Sequence, residues 1–596
     1  MKSIERLFLP VVFALCASLP VDAQLPPTKQ VVAPPSDILS GLVRLPDPAS
    51  TPTGTCGFLA PLAFERGAQG WSAQTRLAFE QRGPLRIALL SPGAADLTLE
   101  IDGIALHTQL LSAGDDFPGW MLLAGECADA PAGELALHVS CRGERTPTEC
   151  WAVMRGAGEL ELDCWIDTQE LVSDGPVGVA AQLAHAPPGT QVDFTRLTLE
   201  CEGRTADVAF TAGDPWRALV PAGWSGEVRA RVEFGGSLPD GERFVRSTPL
   251  AFPLRPRACL FDGSVRVEGR EIVVGALPLA PAERLHFSAE LWGSDARGAL
   301  VPVCWLSRML EPRRAGERWE FPLELDPVWI GAANATAPFE LRELRVQDPD
   351  SEVVYDRLAR LALTDELPRA AAQTAGTHAP AGPLVVINPA LMLVHGYCSG
   401  GSIWPAADFT QPKRQFLDPN ANRTHDQFAQ LLASQAQGFG LGSFGVVAHS
   451  QGGCAALHLL TYYTSGLDYA TGTRLIQSVA TPYQGTPLAS LGGFSCGVNN
   501  DMTPAGSASW LAGIPSAARA QVWYWTVSNS GSACNFLTDF LLTNPEDGVV
   551  EQFRGQLPGG NNMGHTTGWC HTTGMTNPAC YTDHTRNQGM DSAAAR

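Results

Sequence analysis

The sequence predicts a multidomain chain: an N-terminal all-β region of about three β-sandwiches, then a C-terminal α/β domain on a mostly parallel sheet. Three observations predict it. From about Gly54 to Leu363, short runs alternate apolar and polar residues with period two and are broken by Gly/Pro turns. From Leu384 onward, continuous apolar runs alternate with helical stretches, as buried parallel strands and their crossover helices require. Between the two, residues 365–383 are rich in Ala, Pro, Gly and Thr, which is linker composition.

The chain has 596 residues, 45% hydrophobic and 17% charged, enough apolar material for several cores and too much for a disordered or fibrous protein. Acidic residues outnumber basic ones, 61 to 41, for a net charge of −20. Such a surface repels phosphate backbones and argues against nucleic acid as a partner.

Residues 1–23 read as an export signal. Lys2 and Arg6 form a charged start, Leu7–Leu19 is apolar, and Val21-Asp22-Ala23 offers a cleavage site before Gln24. The apolar run is too short to span a bilayer, and no later one reaches 18 residues, so a secreted protein without a transmembrane anchor is expected. Cys16 follows the bulky Leu15, where a lipoprotein signal wants a small residue. Without Cys16, eight cysteines fall before residue 310 and six after 390, even numbers that suit disulfides within each part. No cysteine or histidine cluster has zinc spacing, and no metal or cofactor is expected.

After a segment at 24–45, alternation marks strands at Leu97–Ile101, Glu134–Val139, Glu227–Phe234 and Trp319–Leu325. Pro131-Ala132-Gly133 and Pro221-Ala222-Gly223 each precede a strand, 90 residues apart, the length of one immunoglobulin-like sandwich. The divisions fall near 46–157, 158–254 and 255–364. The α/β domain occupies 384–596. Its strands are expected at Leu384–Ile387, Leu391–Val394, Phe444–Ala448, Leu475–Val479 and Val522–Val527, with helices from about Asp426 and from Gly452 to about Tyr463. The linker composition predicts that 384–596 folds without the sandwiches.

The chemistry-bearing motif is Val447-Ala448-His449-Ser450-Gln451-Gly452-Gly453. A buried strand turns sharply into a helix, which would hold the Ser450 hydroxyl exposed at the helix start; small residues at 448 and 452 let the two backbones pass. Backbone N–H groups of Gln451 and of Tyr397, in the loop His395-Gly396-Tyr397-Cys398-Ser399-Gly400-Gly401, are candidates for an oxyanion hole. His395 reads as an anchor of that loop.

Together with Thr481-Pro482-Tyr483-Gln484-Gly485-Thr486-Pro487-Leu488-Ala489, these motifs resemble the bacterial lipases and esterases of the α/β-hydrolase superfamily over residues 384–596. The resemblance implies a Ser-Asp-His triad in that order and often a mobile cover. Asp547, in Glu546-Asp547-Gly548-Val549-Val550, resembles the family's acid and is preferred to Glu546 and Asp539. For the base, His571 lies 24 residues beyond Asp547 and suits the family's spacing; His565 and His584, 18 and 37 beyond, are alternatives. A Cys570–Cys580 bridge would pin the His571 loop, and Cys496 could tether residues 494–520 to Cys534. In that segment Trp510, Leu511 and Ile514 mark either a cover or a packing helix.

The reading is therefore a secreted serine hydrolase cleaving carboxylic esters, with an ester or lipid substrate and no cofactor. The alternatives are an acyltransferase or polyester depolymerase on the same fold, and a catalytically inactive secreted binding or signalling protein. The partners of the sandwiches are not legible.

Overall fold

A computed structural model describes residues 25–596, apart from 69, 92–95, 113–120, 143–149, 157, 369–387, 400, 421, 492–495, 530–533, 535–537, 539–540 and 573–577. The expected export signal, most of the linker and the expected strand Leu384–Ile387 lie outside the described residues.

The protein is mostly β, 47% strand against 16% helix. The described residues form six antiparallel sheets and one parallel sheet. The antiparallel sheets face one another in pairs around separate cores. One core gathers Leu89, Leu99, Leu137 and Val139; a second Cys164, Val179, Leu199 and Val232; a third Phe287, Leu306, Phe321 and Leu341. The strand Gly133–Cys141 shows how the sequence dictates this: Leu135, Leu137 and Val139 are buried between more exposed neighbours, the period of a sheet covered on one face.

The N-terminal segment ties these units together. Gln30–Ala33 adds as an edge strand to Leu300–Leu310, whereas Thr53–Thr55 pairs with Glu161–Ile166 in a different sheet. The Lys29 amide donates to the Tyr462 carbonyl at 2.8 Å, and the Thr464 amide to the Pro27 carbonyl at 2.8 Å.

The C-terminal sheet has six strands, in the order Lys413–Gln415, Ala390–Val394, Phe444–His449, Ile476–Val479, Val522–Ser528 and Asn561–Thr567, every neighbouring pair parallel. Helices His425–Gly438 and Gln451–Tyr462 pack against it; the first starts at a capping box between Thr424 and Gln427. The core of this domain is not its own. Val31, Ala33, Ile38 and Val43 of the N-terminal segment, with Trp305 and Met309 of the third sandwich, share one apolar cluster with Met392, Val446, Leu457 and Tyr462. A second cluster joins Leu90, Leu122 and Val153 of the first sandwich to Leu488, Leu541 and Leu542. This packing bears against the expectation that 384–596 folds alone: its apolar surface is completed by elements far upstream.

Candidate functional site

Ser450 stands between the strand Phe444–His449 and the helix Gln451–Tyr462, with φ 55° and ψ −136°. A positive φ in a non-glycine residue is strained and persists only where surrounding contacts impose it. Those contacts are present. The Ser450 amide donates to the Val479 carbonyl at 3.1 Å, and its carbonyl accepts from the Thr481 hydroxyl at 2.8 Å. A Cβ at Gly396 would sit 2.4 Å from Ser450 Cβ, one at Gly452 2.4 Å from the His395 carbonyl oxygen, and one at Gly453 2.4 Å from Thr481 Oγ1. The small residues of the motif are thus demanded by backbone packing.

Asp547 and His571 meet. His571 Nδ1 donates to Asp547 Oδ2 at 2.9 Å, and the His571 amide donates to the Asp547 carbonyl at 2.8 Å. The other carboxylate oxygen accepts from the amides of Val549 and Val550 at 2.9 and 2.7 Å, which fixes the acid in its turn. Glu546 is buried and accepts from the Gly548 amide of its own loop; Asp539 lies outside the described residues. The structure places the alternative bases elsewhere. His565 stands on the edge strand Asn561–Thr567, between the hydroxyls of Thr526 and Ser528 at 3.0 and 2.9 Å. His584, 67% exposed, bonds Asp408 at 2.9 Å.

His449, the residue before Ser450, has a role that the sequence reading did not assign. Buried against Tyr581, it donates from Nε2 to the His571 carbonyl at 3.1 Å and so pins the His571 loop to the strand bearing Ser450. Burial pushes its imidazole well below the usual histidine range, with nearby His571 adding to the effect, so it stays neutral. Its place in the motif, pointing opposite to its strand neighbours, was the available signal. His395 is also buried: Nδ1 donates to the Gly396 carbonyl at 2.8 Å and Nε2 accepts from the Asp418 amide at 3.2 Å.

Tyr397 and Gln451 flank Ser450, and their side chains are committed elsewhere. The Tyr397 hydroxyl donates to the Gly497 carbonyl, and Gln451 Nε2 donates to the Arg423 carbonyl at 2.7 Å. Two disulfides brace this end of the sheet, Cys398–Cys496 and Cys534–Cys570, in place of the expected Cys496–Cys534 and Cys570–Cys580 pairings. Spacing along the chain misled here, because Cys398 is brought to Cys496 by the fold across 98 residues. Cys580 instead donates its thiol to the His571 carbonyl at 3.3 Å. The helix Pro504–Leu511 is a packing element, with Trp510 and the following Ile514 buried and the Trp510 indole donating to His458 Nδ1 at 3.1 Å. Among the described residues, no three His, Cys, Asp or Glu side chains are grouped to hold a metal ion, and no helix is long and apolar enough to cross a membrane.

Comparison with known proteins corrects the functional expectation. Residues 386–594 match the model of the Conditioned medium factor C-terminal domain, and residues 286–385 that of the Conditioned medium factor third Ig-like domain. The chain is 35% identical over 346 residues to Conditioned medium factor of Dictyostelium discoideum, covering 52% of this chain and 49% of the relative; it spans about half the length of that relative. Among solved structures, a DUF4785-family protein of Legionella pneumophila is 10% identical with a TM-score of 0.33, over 54% of this chain and 96% of that one. A lipase of Bacillus licheniformis in propeptide form is 12% identical with a TM-score of 0.22, over 34% and 42%. Neither likeness is strong enough to decide anything.

The resemblance to bacterial lipases, the serine-hydrolase activity and the enzyme class are therefore overturned: the family models and the curated relative that match are those of Conditioned medium factor. The physical reason is visible at Gly396, Gly452 and Gly453. A strand that turns sharply into a buried helix needs small residues at these positions whether or not a substrate is ever turned over. The third Ig-like domain and the C-terminal domain matched in tandem, with the 35% identical relative, point to the Conditioned medium factor family.

Proposed function

We propose that this chain is a secreted binding or signalling factor whose C-terminal domain recognises a partner without turning over a substrate. The observation that carries the reading is the 35% identity over 346 residues to Conditioned medium factor. The two disulfides are in keeping with an oxidising, extracellular setting. We further infer a cleaved export signal at 1–23 and three sandwiches near 46–157, 158–254 and 255–364, a count supported by the match to a third Ig-like domain. The six parallel strands and the strand–Ser450–helix turn support an α/β-hydrolase type of topology for the C-terminal domain, put to a binding use. In this reading Ser450, His571 and Asp547, with the Tyr397 and Gln451 amides, form hydrogen-bonding ground for a ligand.

The test adds fluorescently labelled full-length protein to intact cells of the organism that makes it. Saturable binding that excess unlabelled protein displaces, and that Ser450→Ala weakens, is the expected result. Unsaturable or absent binding overturns the reading.

A further inference from the structure

The joint between the third sandwich and the C-terminal domain is crowded with carboxyl groups. The turn after the strand Thr336–Gln347 presents Asp348, Asp350 and Glu352; the facing domain presents Asp426 and Asp501. Asp348 is occupied within the turn, accepting from the amides of Asp350 and Ser351 at 2.9 and 2.7 Å and from the Tyr355 hydroxyl at 2.9 Å. Across the joint, Thr424 donates to Asp350 at 3.0 Å, Asn500 Nδ2 to the Ser351 carbonyl at 2.8 Å, and Ser509 to the Glu352 carbonyl at 3.5 Å. Asp426 is satisfied by Arg284, Tyr463 and His458.

Glu352 differs from these. It is buried in a left-handed backbone conformation, φ 56°, and one of its oxygens accepts from Gln347 Nε2. Gln347 is 1% exposed, and its Oε1 has no hydrogen-bond partner. A buried amide oxygen without a donor is costly, and an ionised carboxylate beside it has only acceptors to offer. A protonated carboxyl, by contrast, returns a hydrogen bond to the same amide.

We propose that Glu352 is held protonated, its carboxyl O–H donating to Gln347 Oε1 in a reciprocal acid–amide pair, and that loss of this proton loosens the joint between the third sandwich and the C-terminal domain. The groups facing Glu352 favour the neutral form, Arg345 excepted. They are Arg345 on its own sheet, Asp348 in the turn, Asp501 in the turn Asn500–Met502, Asp426 on the helix His425–Gly438 and Tyr462 on the helix Gln451–Tyr462. Burial, then Asp501, pushes the Glu352 carboxyl well above the usual range against the lowering by Arg345. Asp501 is likewise raised, by burial and by Asp350, Asp426 and Asp348, with the His425 amide opposing and the His425 ring 3.9 Å away. A cavity of about 90 Å³, lined by Glu352, Trp165, Phe252 and Ser509, adjoins the acid and is roomy enough for water to carry the proton away.

The sign follows from the raised folded-state pKa. The contribution of Glu352 is complete below the ordinary carboxyl range, near pH ~4.3, and is lost as pH rises through its folded value. Glu352→Gln keeps both hydrogen bonds to Gln347 and cannot ionise. In the full chain, the difference between wild type and this variant cancels the buried histidines, which act in the opposite direction. The expected result is an infrared band of protonated carboxyl at pH 7 that is stronger in wild type than in Glu352→Gln, with amide-exchange protection at 348–352 and 500–509 falling as pH rises from 5 to 8 in wild type only. Equal bands in the two proteins, or an equal fall in protection, overturns the proposal. Should Glu352→Gln not fold, Asp501→Asn serves: removing the neighbouring carboxyl that raises Glu352 must move the loosening to lower pH, and an unmoved midpoint is again contrary.

Discussion

Asp37 accepts two hydrogen bonds from Ser516, 479 residues away: one oxygen takes the amide at 2.7 Å and the other the hydroxyl at 2.6 Å. Asp37 is 2% exposed, so the segment at 24–45 caps the first turn of the helix Ser516–Arg519 from outside. Asp37→Ala should lower the unfolding free energy by about 2–3 kcal/mol, the worth of charged hydrogen bonds to otherwise orphaned donors. Urea midpoints at an unchanged slope measure it.

The shared core makes a second demand. Expressed alone, residues 384–596 would lose what Val31, Ile38, Trp305 and Met309 contribute to the apolar cluster that holds Tyr462, Leu457 and Val446. The fragment should be insoluble or lack a cooperative unfolding transition, while the full chain unfolds cooperatively; circular dichroism melts of the two distinguish the outcomes.

Gly396→Ala tests the packing around Ser450. Its methyl group would lie 2.4 Å from Ser450 Cβ and 2.9 Å from Oγ, so either the loop or the strained serine must shift. A loss of about 1–3 kcal/mol is expected, the range for overpacking a close-packed site, read from chemical denaturation.

Much of this architecture is legible in the sequence. The alternation at Leu97–Ile101 and Glu227–Phe234 and the apolar runs at Phe444–Ala448 and Val522–Val527 all fall on strands, because burial on one or two faces dictates those patterns. The strand Asn561–Thr567 gave no such signal: it lies at the sheet edge with polar, half-exposed residues, so nothing marks His565 as a strand residue. The Asp547–His571 pair is legible only through the motif and spacing that the resemblance implies. The path of residues 27–55, paired with three different units, leaves no periodic trace because its partners are distant in sequence. Activity was not legible, since the close packing at Gly396, Gly452 and Gly453 demands the small residues of the serine turn whatever the site does.

The disulfides give a prediction that needs no activity. Peptide mapping without reductant should find Cys398 linked to Cys496 and Cys534 to Cys570. By loop-closure entropy each should contribute about 4 kcal/mol, so removing either pair as serines lowers the denaturation midpoint markedly. Peptides joining Cys496 to Cys534, or Cys570 to Cys580, would contradict the fold around Ser450.

In the proposed reading this chain binds a ligand and does not turn it over. The most direct measurement is hydrolysis of p-nitrophenyl esters from acetate to palmitate by the full-length protein and by Ser450→Ala. The account predicts the same release from both proteins, linear in protein and without saturation in substrate. Saturable turnover by the wild type that Ser450→Ala abolishes would contradict it.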